Sequence, residues 1–143
     1  MALIYSEAVN KARLDSIETT ISPAGAQAYL KVYSGSPPAT IATAASGTLL
    51  VNILLPLGDW MAAAAGTQPN VKIDKVGTWS ATGAAVVAGS VGYFRITRAN
   101  QTTADIQGLA AQGGGELSFD NGTLTAGQTV TVSGFSLTAG NQG

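Results

Sequence analysis

The sequence predicts a mainly β protein, an antiparallel sandwich or barrel with one helix at its N-terminus. Three observations predict it. Helical periodicity of apolar residues is confined to the first 21 positions and gives way to a period of two from Ala26 onward. Turn signals rich in Gly, Pro, Asn and Ser then recur every 8 to 12 residues, bounding about eight short strand candidates. A chain of 143 residues fits one domain. At 14.3 kDa, area scaling lets about two-thirds of the unfolded surface be buried, so a core needs no staples.

Residues 1–25 read as an arm and a helix. Ser6 is the N-cap and Glu7 sits in the first turn, where the helix dipole favours an acid. Leu3, Leu14, Ile17 and Ile21 fall on one side at helical spacing, with Lys11, Asp15 and Glu18 elsewhere. Ser22-Pro23-Ala24-Gly25 ends the helix, since proline cannot continue it. The apolar stripe is narrow and needs something to pack on.

Residues 26–138 read as the β domain and 139–143 as a flexible tail. In the first strand Ala28, Leu30 and Val32 alternate with Tyr29, Lys31 and Tyr33, and Gly35-Ser36-Pro37-Pro38 stops it. Ala39 to Gly47 is a small, polar loop. Thr48 to Leu55 is a strand with two apolar faces, Leu49, Val51, Ile53 and Leu55 against Leu50, Asn52 and Leu54, as in a central strand or one covered by a partner. Pro56 to Gly66 carries Trp60 and Met61 and reads as one helical turn or an irregular flap. Val71–Ile73, Lys75–Ser80, Val91–Arg98, Ala104–Leu109, Leu117–Phe119 and Thr129–Leu137 are further strands. Ala84–Ala88 is ambiguous, and Asn121-Gly122 is the strongest two-residue hairpin signal. No internal repeat is present.

Composition narrows the function. There is no cysteine and no histidine, which removes disulfides, thiolate metal sites, the usual general base and the commonest metal ligand. Seven basic and eight acidic residues give a net charge of −1, with no basic field to neutralise phosphates, so no nucleic-acid partner is expected. The densest apolar run, Leu49 to Leu57, is far short of the roughly 20 residues that span a bilayer, so no membrane is expected. The first residues lack the basic start and apolar stretch of a signal peptide, so synthesis in a cytoplasm is expected. Only 10% of residues are charged, against about 25% in an average domain, while 40 are Ser, Thr, Asn or Gln. A surface so poor in charge suits a permanent place in an assembly, or simply a hydroxyl-rich β protein.

Chemistry-bearing constellations are few, and neither a catalytic residue, a metal ligand nor a cofactor is expected. Glu116 and Asp120 flank Leu117-Ser118-Phe119 and resemble an acid pair, but two solvated turn residues are the plainer reading. Ser34-Gly35-Ser36 has no histidine base, and Gly113-Gly114-Gly115 lacks the lysine and helix of a P-loop. Tyr29 and Tyr33 share the outer face of a strand. With Trp60 they suit sugar stacking, a protein interface, or a second layer of the core. Arg95, between Phe94 and Ile96, reads as a paired structural or interface arginine with no oxyanion to serve. Leu3, Ile4 and Tyr5 are apolar where chain ends are normally free, and Trp60 and Met61 lie in a Gly- and Pro-bounded loop; both segments read as partner anchors.

One resemblance sharpens this. Leu30-Lys31-Val32-Tyr33-Ser34-Gly35-Ser36-Pro37-Pro38, Gly47-Thr48-Leu49-Leu50, Trp79-Ser80-Ala81-Thr82-Gly83, Tyr93-Phe94-Arg95-Ile96 and Gly127-Gln128-Thr129-Val130-Thr131-Val132 occur in this order. Across roughly residues 26 to 138 they resemble a family of small tailed-phage virion proteins that includes capsid cement, or decoration, proteins. Ala84–Gly89 looks like an insertion relative to that pattern. The resemblance implies a jelly-roll-like β-sandwich on the outer surface of an icosahedral virion, clamping neighbouring copies of the major capsid protein against genome pressure. It implies no catalytic residue. The expected protein is a homo-oligomer, dimer or trimer, that touches its partners through Leu3, Ile4, Tyr5, Tyr29, Tyr33, Leu50, Leu54, Trp60 and Met61. A carbohydrate-binding jelly-roll module and a tail or neck structural protein are the alternatives.

Overall fold

The computed structural model describes residues 3–67, 70–83 and 86–139. Helix α1 (Glu7–Ile21) starts where the sequence places it: the Ser6 hydroxyl accepts from the Val9 N–H at 3.3 Å, and Glu7 pairs with Lys11 one turn on at 2.6 Å. The Ser22 N–H closes the last turn on the Glu18 carbonyl. Leu14 and Ile21 are buried and Ile17 partly so, whereas Leu3 lies ahead of the helix and does not join the stripe. Asn10, buried without a role in the apolar pattern, faces the same way.

The strands among the described residues are β1 (Tyr29–Tyr33), β2 (Leu49–Leu54), β3 (Val71–Asp74), β4 (Ser80–Gly83), β5 (Gly89–Ser90), β6 (Tyr93–Thr97), β7 (Ala104–Gln112), β8 (Gly114–Gly115), β9 (Leu117–Phe119), β10 (Thr123–Leu124) and β11 (Gly127–Ala139). The main sheet runs β2-β1-β6-β7-β9-β11-β3, with β4 against β11 and β8 against β7; β10 and β5 form a separate pair. The protein is mainly β, 44% strand and 11% helix, its curled sheet forming a half-barrel consistent with a jelly-roll-like sandwich. Pairings are antiparallel except β7 with β9, which are parallel.

Three expectations need correction. Asn121-Gly122 makes no hairpin: β9 pairs with β7 and β11, while β10 pairs with β5. The Asn121 Oδ1 instead accepts from the Thr123 N–H at 3.1 Å, an Asx turn that redirects the chain. The expected strand over Lys75–Ser80 is split, with β3 ending at Asp74 and β4 starting at Ser80. Of the two readings of the two-faced strand β2, central or covered by a partner, the first fails, because β2 lies at the end of the main sheet. Its second apolar face comes from a β-bulge: Val32 pairs with Val51 and Tyr33 with Leu49, so Leu50 is the extra residue. The bulge turns Leu50 inward beside Val51, both buried. The Ala84–Ala88 stretch is described only from Val86, which bridges to Val51, and Asn141-Gln142-Gly143 lies outside the described residues.

The core sits inside the curl. Trp60, Trp79, Phe135 and Phe94 form a continuous aromatic chain with ring centroids 5.5 to 5.9 Å apart at tilted or edge-on angles. Leu30, Val32, Val51, Ile53 and Ile96 complete the wall. α1 packs against β3 and β11.

Candidate functional site

The N-terminal arm is the most exposed apolar segment. Leu3 is 78% exposed, Ile4 64% and Tyr5 43%, and Val9 on the first turn of α1 adds to the same end. Met1 and Ala2 lie outside the described residues. Tyr5 is held by the Arg13 guanidinium, 4.9 Å from its ring centroid. The Ser6 cap fixes where the arm leaves the helix, and the helix is itself pinned to the body. Its Glu18 carboxylate accepts from the backbone N–H groups of Trp60 and Met61, and its Asp15 from that of Ala64 at 2.7 Å.

Those same bonds overturn the reading of Trp60 and Met61 as anchors. Both are fully buried, and so is Leu50. The loop that carries Trp60 is lined from outside by α1, whose two carboxylates satisfy its backbone. Bridges from Met61 to Lys75 and from Ala65 to Lys72 stitch it to the β3 edge. The indole therefore drops into the core against Trp79. Of the nine interface candidates, Leu3, Ile4, Tyr5 and Leu54 are exposed and Tyr29 and Tyr33 half-buried.

Tyr29 and Tyr33 lie on the outer face of the sheet, where strand register builds three rows. Leu54, Tyr29, Thr97 and Ala104 form one; Asn52, Lys31, Arg95 and Gln107 the next; Leu49, Tyr33, Tyr93 and Leu109 the third. The loop from Ser34 to Thr48 folds back over these rows. The Tyr93 hydroxyl donates to the Ser46 carbonyl at 2.6 Å and accepts from the Ser46 N–H. Arg95 Nη2 donates to the Thr43 carbonyl and Gln107 Nε2 to the Pro38 carbonyl. Gly47 has φ +75°, and a Cβ there would lie 2.1 Å from the Ser34 carbonyl, so only glycine lets the loop return this closely. The cover explains why all five residues of β6 are buried.

Tyr33 stacks on Tyr93 with centroids 5.0 Å apart and planes 14° from parallel. Burial pushes its phenol above the ordinary tyrosine value; Tyr93 adds to the rise and Arg95 opposes it. On the hairpin joining β6 and β7, Arg98 binds Asp105 through both carboxylate oxygens at 2.8 and 2.9 Å, which raises the guanidinium's pKa. Sequence reasoning missed the setting of Arg95. Its partner across the strands is Lys31, a register that no local pattern reveals.

The structure does not gather the acid pair. The Glu116 carboxylate accepts from the Leu109 N–H at 2.7 Å and lines a polar cleft of about 440 Å³ with Asp74, Lys75 and Ser118, to which Asp120 does not contribute. Ser34 Oγ accepts from the Thr48 N–H and so serves the loop. Among the described residues no three of His, Cys, Asp and Glu converge as metal ligands, and no helix is long and apolar enough to cross a membrane. Comparison with protein families, curated proteins and solved structures yields no match.

Proposed function

We propose that the protein is a structural virion component that binds the outside of an icosahedral capsid and clamps neighbouring major capsid proteins against internal pressure. The observation that carries this reading is the arm. Leu3 and Ile4 stand largely in water at the start of a capped helix that three carboxylate-to-backbone hydrogen bonds and the buried Leu14 and Ile21 hold to the body. Burying such a side chain in a partner's groove releases about 1.5–3 kcal/mol. The arm then acts as a hook and the sandwich as a spacer. Contacts weak in one subunit become strong when repeated over a shell, because each binding event raises the effective concentration for the next. A surface with 10% charged residues fits lasting contact better than free diffusion. The motif resemblance over residues 26–138 supplies the partner class.

The sugar-binding alternative loses its third aromatic group, since Trp60 is buried and one face of Tyr33 is stacked on Tyr93. The direct test uses heads of the encoding phage assembled without this chain. Purified protein should sediment with assembled heads and not with dissociated capsid subunits, and the decorated heads should survive hotter incubation. Protein that stays in the supernatant, or that sediments with isolated tails, would overturn the proposal; the latter result would favour the tail or neck alternative.

A further inference from the structure

The outer face of the sheet holds a buried cation that no carboxylate answers. Arg95 is 6% exposed, yet its hydrogen bonds go only to neutral oxygens: Nε to the Gln107 side chain at 2.9 Å and Nη2 to the Thr43 carbonyl at 2.7 Å. Nη1 has no hydrogen-bond partner among the described residues. Lys31 sits directly across from Arg95 and sends its ammonium to the Gln101 carbonyl at 2.9 Å. Like charges at opposed positions on a sheet repel. The ion pairs among the described residues, Glu7 with Lys11, Lys72 with Asp74 and Arg98 with Asp105, involve neither of them.

Arg95 lines a cavity of about 290 Å³ between the sheet and the 41–45 loop, together with Tyr33, Thr43, Gln101 and Thr102; no lining residue is acidic. The Tyr33 hydroxyl has no hydrogen-bond partner among the described residues, whereas its stacked neighbour Tyr93 is fully engaged with Ser46. Gln101 holds φ +60°, uncommon for a residue with a side chain, which places its carbonyl on Lys31 and its amide oxygen within 3.1 Å of Asn52 Nδ2. The loop thus shelters a positive site that its own residues leave uncompensated. Burying a charge without a counter-ion is costly, and the cost is recovered when an anion arrives.

We propose that this cavity binds a carboxylate, with Arg95 as its anchor and Tyr33 as a second donor. A monoanion matches the single guanidinium that lines the cavity. A phosphate dianion would bring more charge and more acceptor oxygens than one arginine and a few hydroxyls satisfy. The volume, about 290 Å³, admits an acidic side chain or a small free acid with room to spare. The inference stands on the cavity and is independent of the capsid reading.

The test is a ¹⁵N chemical-shift titration of the full chain, including the Arg95 side-chain Nε–H. The probes are sodium acetate and N-acetylglutamic acid amide, with sodium chloride and sodium phosphate as controls at matched ionic strength. Saturable shifts centred on Arg95, Tyr33 and residues 43–45 are expected with a carboxylate and not with the controls. Saturation by acetate identifies a free acid as sufficient; saturation by the glutamate derivative alone identifies an acidic side chain as the source. Arg95→Lys keeps the charge but loses the planar fork, and should weaken binding by roughly tenfold. Tyr33→Phe keeps the ring stack, should fold as the parent does, and should weaken binding by roughly threefold. It decides the matter if Arg95→Lys fails to fold. Linear, non-saturating shifts, equal responses to chloride or phosphate, or undiminished carboxylate binding in a folded variant would overturn the proposal.

Discussion

Glu18 shows how one side chain decides the fate of another 42 positions away. Its carboxylate takes the backbone N–H groups of Trp60 and Met61, which lets a loop that looks exposed in sequence deliver its indole to the core. Trp60→Ala should therefore cost about 3–5 kcal/mol of folding stability, as a core truncation does, and be read as a lower midpoint in thermal or urea unfolding. A variant with parental stability would place Trp60 outside the core. The second residue-scale prediction concerns Tyr33. Burial raises its pKa, so the folded chain keeps the phenolic proton more tightly than the unfolded chain. The resulting stabilisation is whole below the ordinary tyrosine value of about 10 and is lost as pH rises through the folded-state value. Unfolding midpoints measured from pH 9 upward should fall more steeply for the parent than for Tyr33→Phe. Identical slopes would show that the phenol is not differentially buried.

At the scale of elements, the period-two alternation of Tyr29 to Tyr33 correctly assigns the buried and outer sides of β1, and Ser6 correctly starts α1. Both signals are local, and so was the failure: a Gly- and Pro-bounded segment reads as surface because nothing local records that α1 covers it. Leu50 was misassigned for a related reason, since a bulge breaks the alternation that sequence reading assumes. The arm before α1 makes its own prediction. Deleting residues 1–5 removes no buried side chain among the described residues but does remove the contact of Tyr5 with Arg13, so unfolding free energy should fall by no more than about 1 kcal/mol while head binding is lost. Unaltered head occupancy would remove the arm from the contact. The edge strand β2 makes another. The Val51–Val86 bridge and the Val87 N–H on the Leu50 carbonyl cover the first half of this edge; beyond them, the Leu55 N–H bonds the Ala28 carbonyl at 3.0 Å, and by antiparallel alternation the backbone groups of Asn52 and Leu54 point away from β1, beside an exposed Leu54 side chain. Such an edge invites pairing with a second copy. Leu54→Lys should lower the dimer or trimer fraction in sedimentation velocity; a parent that is monomeric at high concentration would show that this edge does not pair.

Across the whole molecule, most of the architecture was legible: one helix, a β remainder and a core that needs no disulfide. The curl of the sheet was not, because the parallel pairing of β7 with β9 and the return of the 34–48 loop over the outer face depend on contacts far apart in sequence. Exposure of the expected contact residues was legible at Leu3, Ile4 and Tyr5, which precede an identifiable cap, and not at Leu50, Trp60 and Met61, which are buried. The molecule presents a curled β body, an exposed apolar arm at one end and a cavity lined by Arg95 on the outer face. The central claim is that this body sits on a capsid exterior as a clamp. Under the proposed function, an electron-microscopy reconstruction of virions that carry this chain in labelled form tests it most directly. The account predicts a repeated density outside the shell, each copy bridging two capsid subunits with Leu3–Tyr5 at the contact. Label confined to a tail or neck ring, or absent from the particle, would contradict it.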